Sequence, residues 1–200
     1  MIEDVLDFWF GQERTQGFPP EAYVDLWFRA TPEHDWQVYS RFHKLTEQAL
    51  RGQLEDWAIT ARGRLALILL LDQFPRHLYR HTRWVYRGDE AALRHCREAR
   101  TAGQDLELEP CQRLFLYAPL EHCEELAVQQ EAVANIEHML SGLAPEVAER
   151  LEYFAHWIRV HRDIVARYGR FPWRNRVLGR SNSPDEEDFL NQNPPYLGQW

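Results

Sequence analysis

The sequence predicts an all-α fold, a single domain of stacked antiparallel helices, and three observations predict it. Apolar residues recur at spacings of three and four through most of the chain. The apolar–polar alternation of a half-buried strand is hard to find anywhere. Proline and glycine stand at most joints between the periodic segments, where they start and stop helices. With 200 residues, 44% hydrophobic and 13% aromatic, the chain can bury one full core.

The first helix is expected over residues 2 to 10, carrying Val5, Leu6, Phe8, Trp9 and Phe10, with Gly11 as its stop. A short second one holds Tyr23, Leu26, Trp27 and Phe28. The third is better marked: Thr31 caps it, Pro32 takes the first turn, and Trp36, Tyr39, Phe42, Leu45 and Ala49 form an inward stripe running to Gly52. The fourth, about 58 to 74, is apolar nearly all round from Leu65 to Leu71 and should be central, with Pro75 ending it. A fifth fits 89 to 102 before Gly103, and a sixth starts at Pro110. Pro119 should break or kink that helix, giving a fresh one from about 120 to 140. The longest runs from Pro145 to Tyr168, closed by Gly169. Ser183-Pro184-Asp185-Glu186 reads as a capping box for a short acidic helix, and an irregular tail follows from about 191. No repeat at a period of roughly 33 to 45 residues is evident, so a bundle and a solenoid-like array both suit these elements.

The formal charge of -8 sets the whole-molecule field against phosphate backbones and anionic membranes, so no nucleic-acid partner is expected. The average hides an arginine-rich stretch, "RVHRDIVARYGRFPWRNRVLGR" at 159 to 180, in which a local anion site fits. Cys96, Cys111 and Cys123 form no Cys-x-x-Cys pair, and the opening "MIEDVLDFWFG" lacks the pattern of a leader, so a reduced, cytoplasmic location is expected. The longest apolar run, "LALILLL", is too short to span a bilayer.

The informative residues are polar ones where the helical period calls for core. Asp72 closes the most apolar helix. His122 and Gln129 share a stripe with Leu126, Val133, Ile136 and Leu140, and His161 sits amid Phe154, Trp157, Ile158, Ile164 and Val165. A buried polar atom without a partner costs on the order of 1 to 3 kcal/mol, so these groups need one another, an arginine or a ligand. Arg76 lies one helical turn after Asp72, while Arg170, Arg174, Arg176 and Arg180 follow the long helix. A lone inward histidine is more often a hydrogen-bonded core residue than a catalyst, and an Asp beside an Arg more often a clasp. Together they suggest a shared polar pocket, with "FPR" at 74 and "FPWR" at 171 as two turns delivering arginines to one centre.

Glu121, His122, Glu125 and His161 are raw material for a metal centre, but the spacing matches no metal motif and no metal is expected. Phosphate-loop, dinucleotide and nucleophile-elbow patterns are absent, and the cysteines read as inert packing.

The stretches "GRLALILLLDQFPRHLYR" from 63, "FLYAPLEHCEELAVQQ" from 115, "HRDIVARYGRFPWRNRVLGR" from 161 and "SPDEEDFL" from 183 resemble the bacterial family catalogued as domain of unknown function 924. The resemblance spans nearly the whole chain and implies an all-helical fold grouped with the tetratricopeptide-like superfamily. It implies no activity, cofactor or catalytic residue. His77 and Trp173 depart from the family pattern, which more often has Asn and His there.

Two functions follow from these readings. In the first, the chain binds, and could act on, an anionic small molecule. Its catalytic candidates are His122, His161 and Asp72, and its ligand-binding candidates Arg76, Gln129, Arg170, Arg174, Asn175 and Arg180. In the second, a helical scaffold holds a peptide or protein in a groove, with Trp84, Tyr86, Trp173 and Trp200 as anchors.

Overall fold

The computed structural model describes residues 1–12, 18–20 and 22–192, and every regular element among them is helical. The chain divides into two compact units, Met1–Leu78 with Tyr86–Pro119, and Tyr79–Val85 with Leu120–Trp200.

The first unit is built from α1 (Ile2–Phe10), α2 (Ala22–Phe28), α3 (Pro32–Leu50), α4 (Ala61–Ile68), α5 (Phe74–Leu78), α6 (Asp89–Thr101) and most of α7 (Pro110–Glu121). Its core is aromatic. Trp9, Trp27 and Phe115 meet at centroid distances of 5.5 and 4.7 Å from the Phe115 ring, and Phe74 tilts onto Trp9 and Phe42. Each such side chain taken from water contributes roughly 1.5–3 kcal/mol. The one polar atom this puts at risk on Trp27 is satisfied, because its Nε1–H donates to the Trp9 carbonyl at 2.9 Å.

The central helix is apolar all round for the reason the sequence suggested: α4 packs against both α1 and α6, and its residues Leu65 to Ile68 are buried. It does not end at Pro75. Leu69–Gln73 form a π turn that leads straight into α5, and the Phe74 N–H closes it on the Leu69 carbonyl. A π turn ends one hydrogen-bond ladder and starts another, so Pro75 falls in the first turn of the new segment, where its missing N–H costs nothing.

On α3 the cap is as expected: His34 N–H donates to Thr31 Oγ1, and Thr31 N–H donates to His34 Nδ1. The inward stripe is different. Val38, Phe42, Thr46 and Ala49 are buried, whereas Trp36 and Tyr39 are 61% and 50% exposed. The helical period holds and its phase is shifted, so that Val38 and Thr46 face the core in place of Trp36 and Tyr39.

The second unit contains α8 (Leu126–Ser141) and α9 (Pro145–Tyr168), packed as an antiparallel hairpin, then α10 (Asn175–Leu178) and α11 (Pro184–Gln192). Val128, Ala132, Val133, Ile136 and Met139 of α8 and Leu151, Ala155 and Ile158 of α9 are among its buried apolar residues. Past them, Ile164, Val165 and Phe171 form a cluster covered by Tyr168, Trp173 and Phe189. Gly169 takes a left-handed φ of 69° to close α9, the conformation for which glycine carries no steric penalty.

The break expected at Pro119 comes later. α7 continues over the proline to Glu121, and α8 begins only at Leu126. Proline removes one hydrogen bond near a helix end, a loss small enough for the last turn to persist. His122 therefore lies in the turn between helices, and Leu126, at the start of α8, is 40% exposed instead of lining the stripe. The tail expected from about 191 falls on residues 193–200, outside the described residues, while Asn191 and Gln192 still belong to α11.

Candidate functional site

In the first unit the π turn holds Asp72 fully out of solvent. Arg76, one turn on and 1% exposed, brings Nη1 to 3.3 Å from Asp72 Oδ1 and also donates to the Asp72 carbonyl. Its two terminal nitrogens reach Asp89 Oδ1 at 3.1 Å and Oδ2 at 3.3 Å. Gln73 Nε2 donates to Asp72 Oδ2 at 2.5 Å. Burial alone would lower the Arg76 pKa, but Asp72 and Asp89 outweigh it and hold the guanidinium above its usual value. The start of α6 reaches this centre through Gly88, where a Cβ would stand 2.2 Å from the Leu71 carbonyl oxygen. His77, at one of the two unusual positions, brings Nδ1 to 2.9 Å from Asp35 Oδ1.

In the second unit most of the expected ligand-binding groups are engaged with carboxylates and carbonyls of the chain itself. Arg170 forks onto Glu186 at 2.6 and 2.8 Å and donates to the Ser181 carbonyl. Desolvation would raise the Glu186 pKa, but Arg170 acts more strongly, and with the Ser183 N–H draws it down to about 2. Ser183 and Glu186 form the reciprocal capping box read from the sequence, at 2.7 and 3.2 Å. Arg180 forks onto Glu124 and also donates through Nε to Asn175 Oδ1 at 2.8 Å, while Asn175 Nδ2 donates to Asn182. Gln129, buried on α8, donates to the carbonyls of Glu121 and Cys123 at 2.7 and 2.6 Å, tying off the exposed end of α7.

One centre in this unit is of another kind. His161, on α9, stands against Phe171 and Trp173 at centroid distances of 5.3 and 5.9 Å. Its Nδ1 is out of solvent contact and has no hydrogen-bond partner. Burial lowers its pKa most, and the neighbouring His122 and Arg174 add to this, so that it falls to about 3. Arg174 lies over the Phe171 ring at 4.6 Å and is itself buried. His122 Nε2 is 3.5 Å from Glu121. Three basic side chains thus neighbour one another in a partly desolvated place, with Glu121 beside His122 and Glu124 close enough to Arg174 to feel its charge. The structure brings His122, His161 and Arg174 together in the second unit and Asp72 with Arg76 in the first.

Other buried polar residues carry no local sequence motif. Arg64, at 9% exposure, donates to Gln104 Oε1 and Glu98 Oε2, each at 2.6 Å, beside the buried His95, whose pKa burial lowers. His95 lies on the buried face of α6 with Ala92, Cys96 and Ala99, and that spacing was the available signal. Among the described residues no group of three or more His, Cys, Asp or Glu is arranged to hold a metal ion, and no helix is long and apolar enough to cross a membrane.

A family model described as "Bacterial protein of unknown function (DUF924)" matches residues 5–194. A solved structure of a protein of unknown function from Agrobacterium tumefaciens is 34% identical, covers 96% of this chain and 97% of its own, and superposes with a TM-score of 0.81. No curated protein matches the chain.

Proposed function

We propose that this chain, which belongs to the DUF924 family of bacterial proteins, binds a small anion of the carboxylate, phosphate or sulfate class at His122, His161 and Arg174. The observation that carries this reading is the His161 Nδ1, buried and unpartnered beside two further basic groups. An anion there would accept from Nδ1–H once the ring is protonated and would offset the repulsion among the three groups. Asp72 and Arg76 are engaged with one another in the first unit, and Arg170 and Arg180 with Glu186 and Glu124, so in this reading they support the fold.

Because the free imidazole is neutral near pH 7, binding takes up a proton, and affinity should rise as pH falls from about 8 to about 6. Sulfate, whose charge is constant over that range, is the clean probe. His161→Ala should abolish both the thermal shift it causes and its pH dependence. Unchanged melting with sulfate, phosphate, acetate and citrate would overturn the proposal.

A second reading is favoured by one surface. Trp36, Tyr39 and His43 stack along the exposed side of α3 with centroids 5.7 and 5.0 Å apart, a rigid aromatic strip suited to a protein or peptide. Trp36→Ala with Tyr39→Ala should then abolish co-purification with that partner and leave sulfate binding intact.

A further inference from the structure

The first unit carries a second place where chemistry is prepared, a cleft of about 650 Å3 between α1, α2 and α3. That size lies within the roughly 300–1,000 Å3 of small-molecule sites. Its walls bear two opposite charges that do not meet. Arg41, on α3, lays its guanidinium over the rings of Phe8 and Phe42 at 4.8 and 5.0 Å. Among the described residues it forms no ion pair, so the edge of its fork is open to the cleft. Asp7, on α1, accepts one hydrogen bond, from Gln12 Nε2 at 2.9 Å, and keeps further acceptor capacity.

Neutral groups complete the lining. Gln37 shares the cleft-facing side of α3 with Arg41, one turn earlier. The Tyr23 ring lies directly on the backbone of Gly11. A Cβ there would stand 2.9 Å from Tyr23 Cζ, and φ is 72°, so position 11 needs glycine on both counts. This contact fixes the phenol at the cleft, and among the described residues its hydroxyl has no protein partner.

A simple anion would satisfy Arg41 and be repelled by Asp7, and a simple amine the reverse. A ligand carrying both charges satisfies the two together. We propose that this cleft binds a small zwitterion of the free amino-acid class, its carboxylate on Arg41 and its ammonium on Asp7, with Tyr23 and Gln37 as hydrogen-bonding partners. The site lies wholly in the first unit and does not depend on the anion centre around His161.

The test is titration calorimetry on the full chain with each standard α-amino acid, and with acetate and methylamine as single-charge controls. At least one amino acid should bind, neither control should show binding that the cleft substitutions weaken, and Arg41→Gln and Asp7→Asn should each weaken amino-acid binding about tenfold or more. Tyr23→Phe removes only a hydroxyl and should weaken it severalfold, which keeps the result readable if a substitution on α1 disturbs folding. His161→Ala should bind as the wild type does. Absence of binding by every amino acid, acetate binding that Arg41→Gln and Asp7→Asn weaken to the same extent, or equal affinity in the wild type and all three cleft variants would overturn the proposal.

Discussion

Arg180 holds Glu124 with both arms of its guanidinium, Nη1 2.6 Å from Oε2 and Nη2 2.9 Å from Oε1, across 56 residues of sequence. The same Oε1 accepts the Phe171 N–H at 2.8 Å, so one half-buried carboxylate ties the turn before α8 to the segment after α9. Glu124→Ala should lower stability by about 2 kcal/mol, the scale of losing several charged hydrogen bonds in a partly solvated place. Arg180→Lys should not spare the fold, since an ammonium cannot fork. Urea denaturation midpoints measure both.

Acid should loosen the second unit through Glu186. Its folded pKa of about 2 lies below the roughly 4.3 of an unfolded glutamate, so the unfolded state takes up a proton first as pH falls. Its stabilisation is complete above the unfolded value and is lost as pH drops through about 2. Glu186→Gln should therefore melt lower than the wild type at neutral pH, with the gap closing toward pH 2. Parallel melting curves would contradict this account. Glu124 adds in the same direction: desolvation pushes its pKa up, but Arg180 and the Phe171 N–H pull it below the usual carboxylate range.

Elements and caps were legible in the sequence where the signal is local. Thr31, Pro145, Gly169 and the Ser183 capping box fall where propensity and hydrogen bonding place them. The π turn was not legible, because a helix that gains one residue per turn keeps its apolar composition and only its hydrogen-bond ladder changes. Asp72 and Gln129 were legible as inward polar residues, but periodicity reports which face a side chain takes and says nothing of its partner. Glu124 and Glu186, which engage Arg180 and Arg170, sit in acidic stretches that look like solvated surface. Asp7 and Arg41 were invisible for the same reason: each is an ordinary polar residue on an ordinary amphipathic helix, and only the packing of α1 beside α3 makes them face one cleft.

Gly88 needs its missing side chain for contact and not for backbone freedom, since its φ of -98° suits any residue. A Cβ would press on the Leu71 carbonyl at 2.2 Å and on Leu50 at 3.0 Å. Gly88→Ala should cost about 3 kcal/mol, the upper part of the range for overpacking, because the obstacle is backbone that cannot rotate away. It should also draw Asp89 off Arg76. In a double-mutant cycle with Asp89→Asn the two losses should therefore fall short of adding, by about 1 kcal/mol. Simple additivity would show that Gly88 acts on packing alone.

Asp72 and Arg76 pose the question of clasp or catalyst most directly, because both are buried and each is the other's neighbour at one helical turn. Removing one charge of a buried pair leaves the other uncompensated, so Arg76→Met should cost about 3–5 kcal/mol. Adding Asp72→Leu removes the stranded carboxylate. Buried ion pairs are frequently replaceable by apolar residues of similar volume, so the double variant should recover most of that loss, to within about 1–2 kcal/mol of the wild type. Asp89 can then turn toward water, being 21% exposed. If the pair is a clasp, the refolded double variant keeps sulfate binding at the His161 centre and amino-acid binding at the Arg41 cleft, both measured by calorimetry. A double variant that is stable yet binds neither ligand would move Asp72 from the scaffold to the functional machinery.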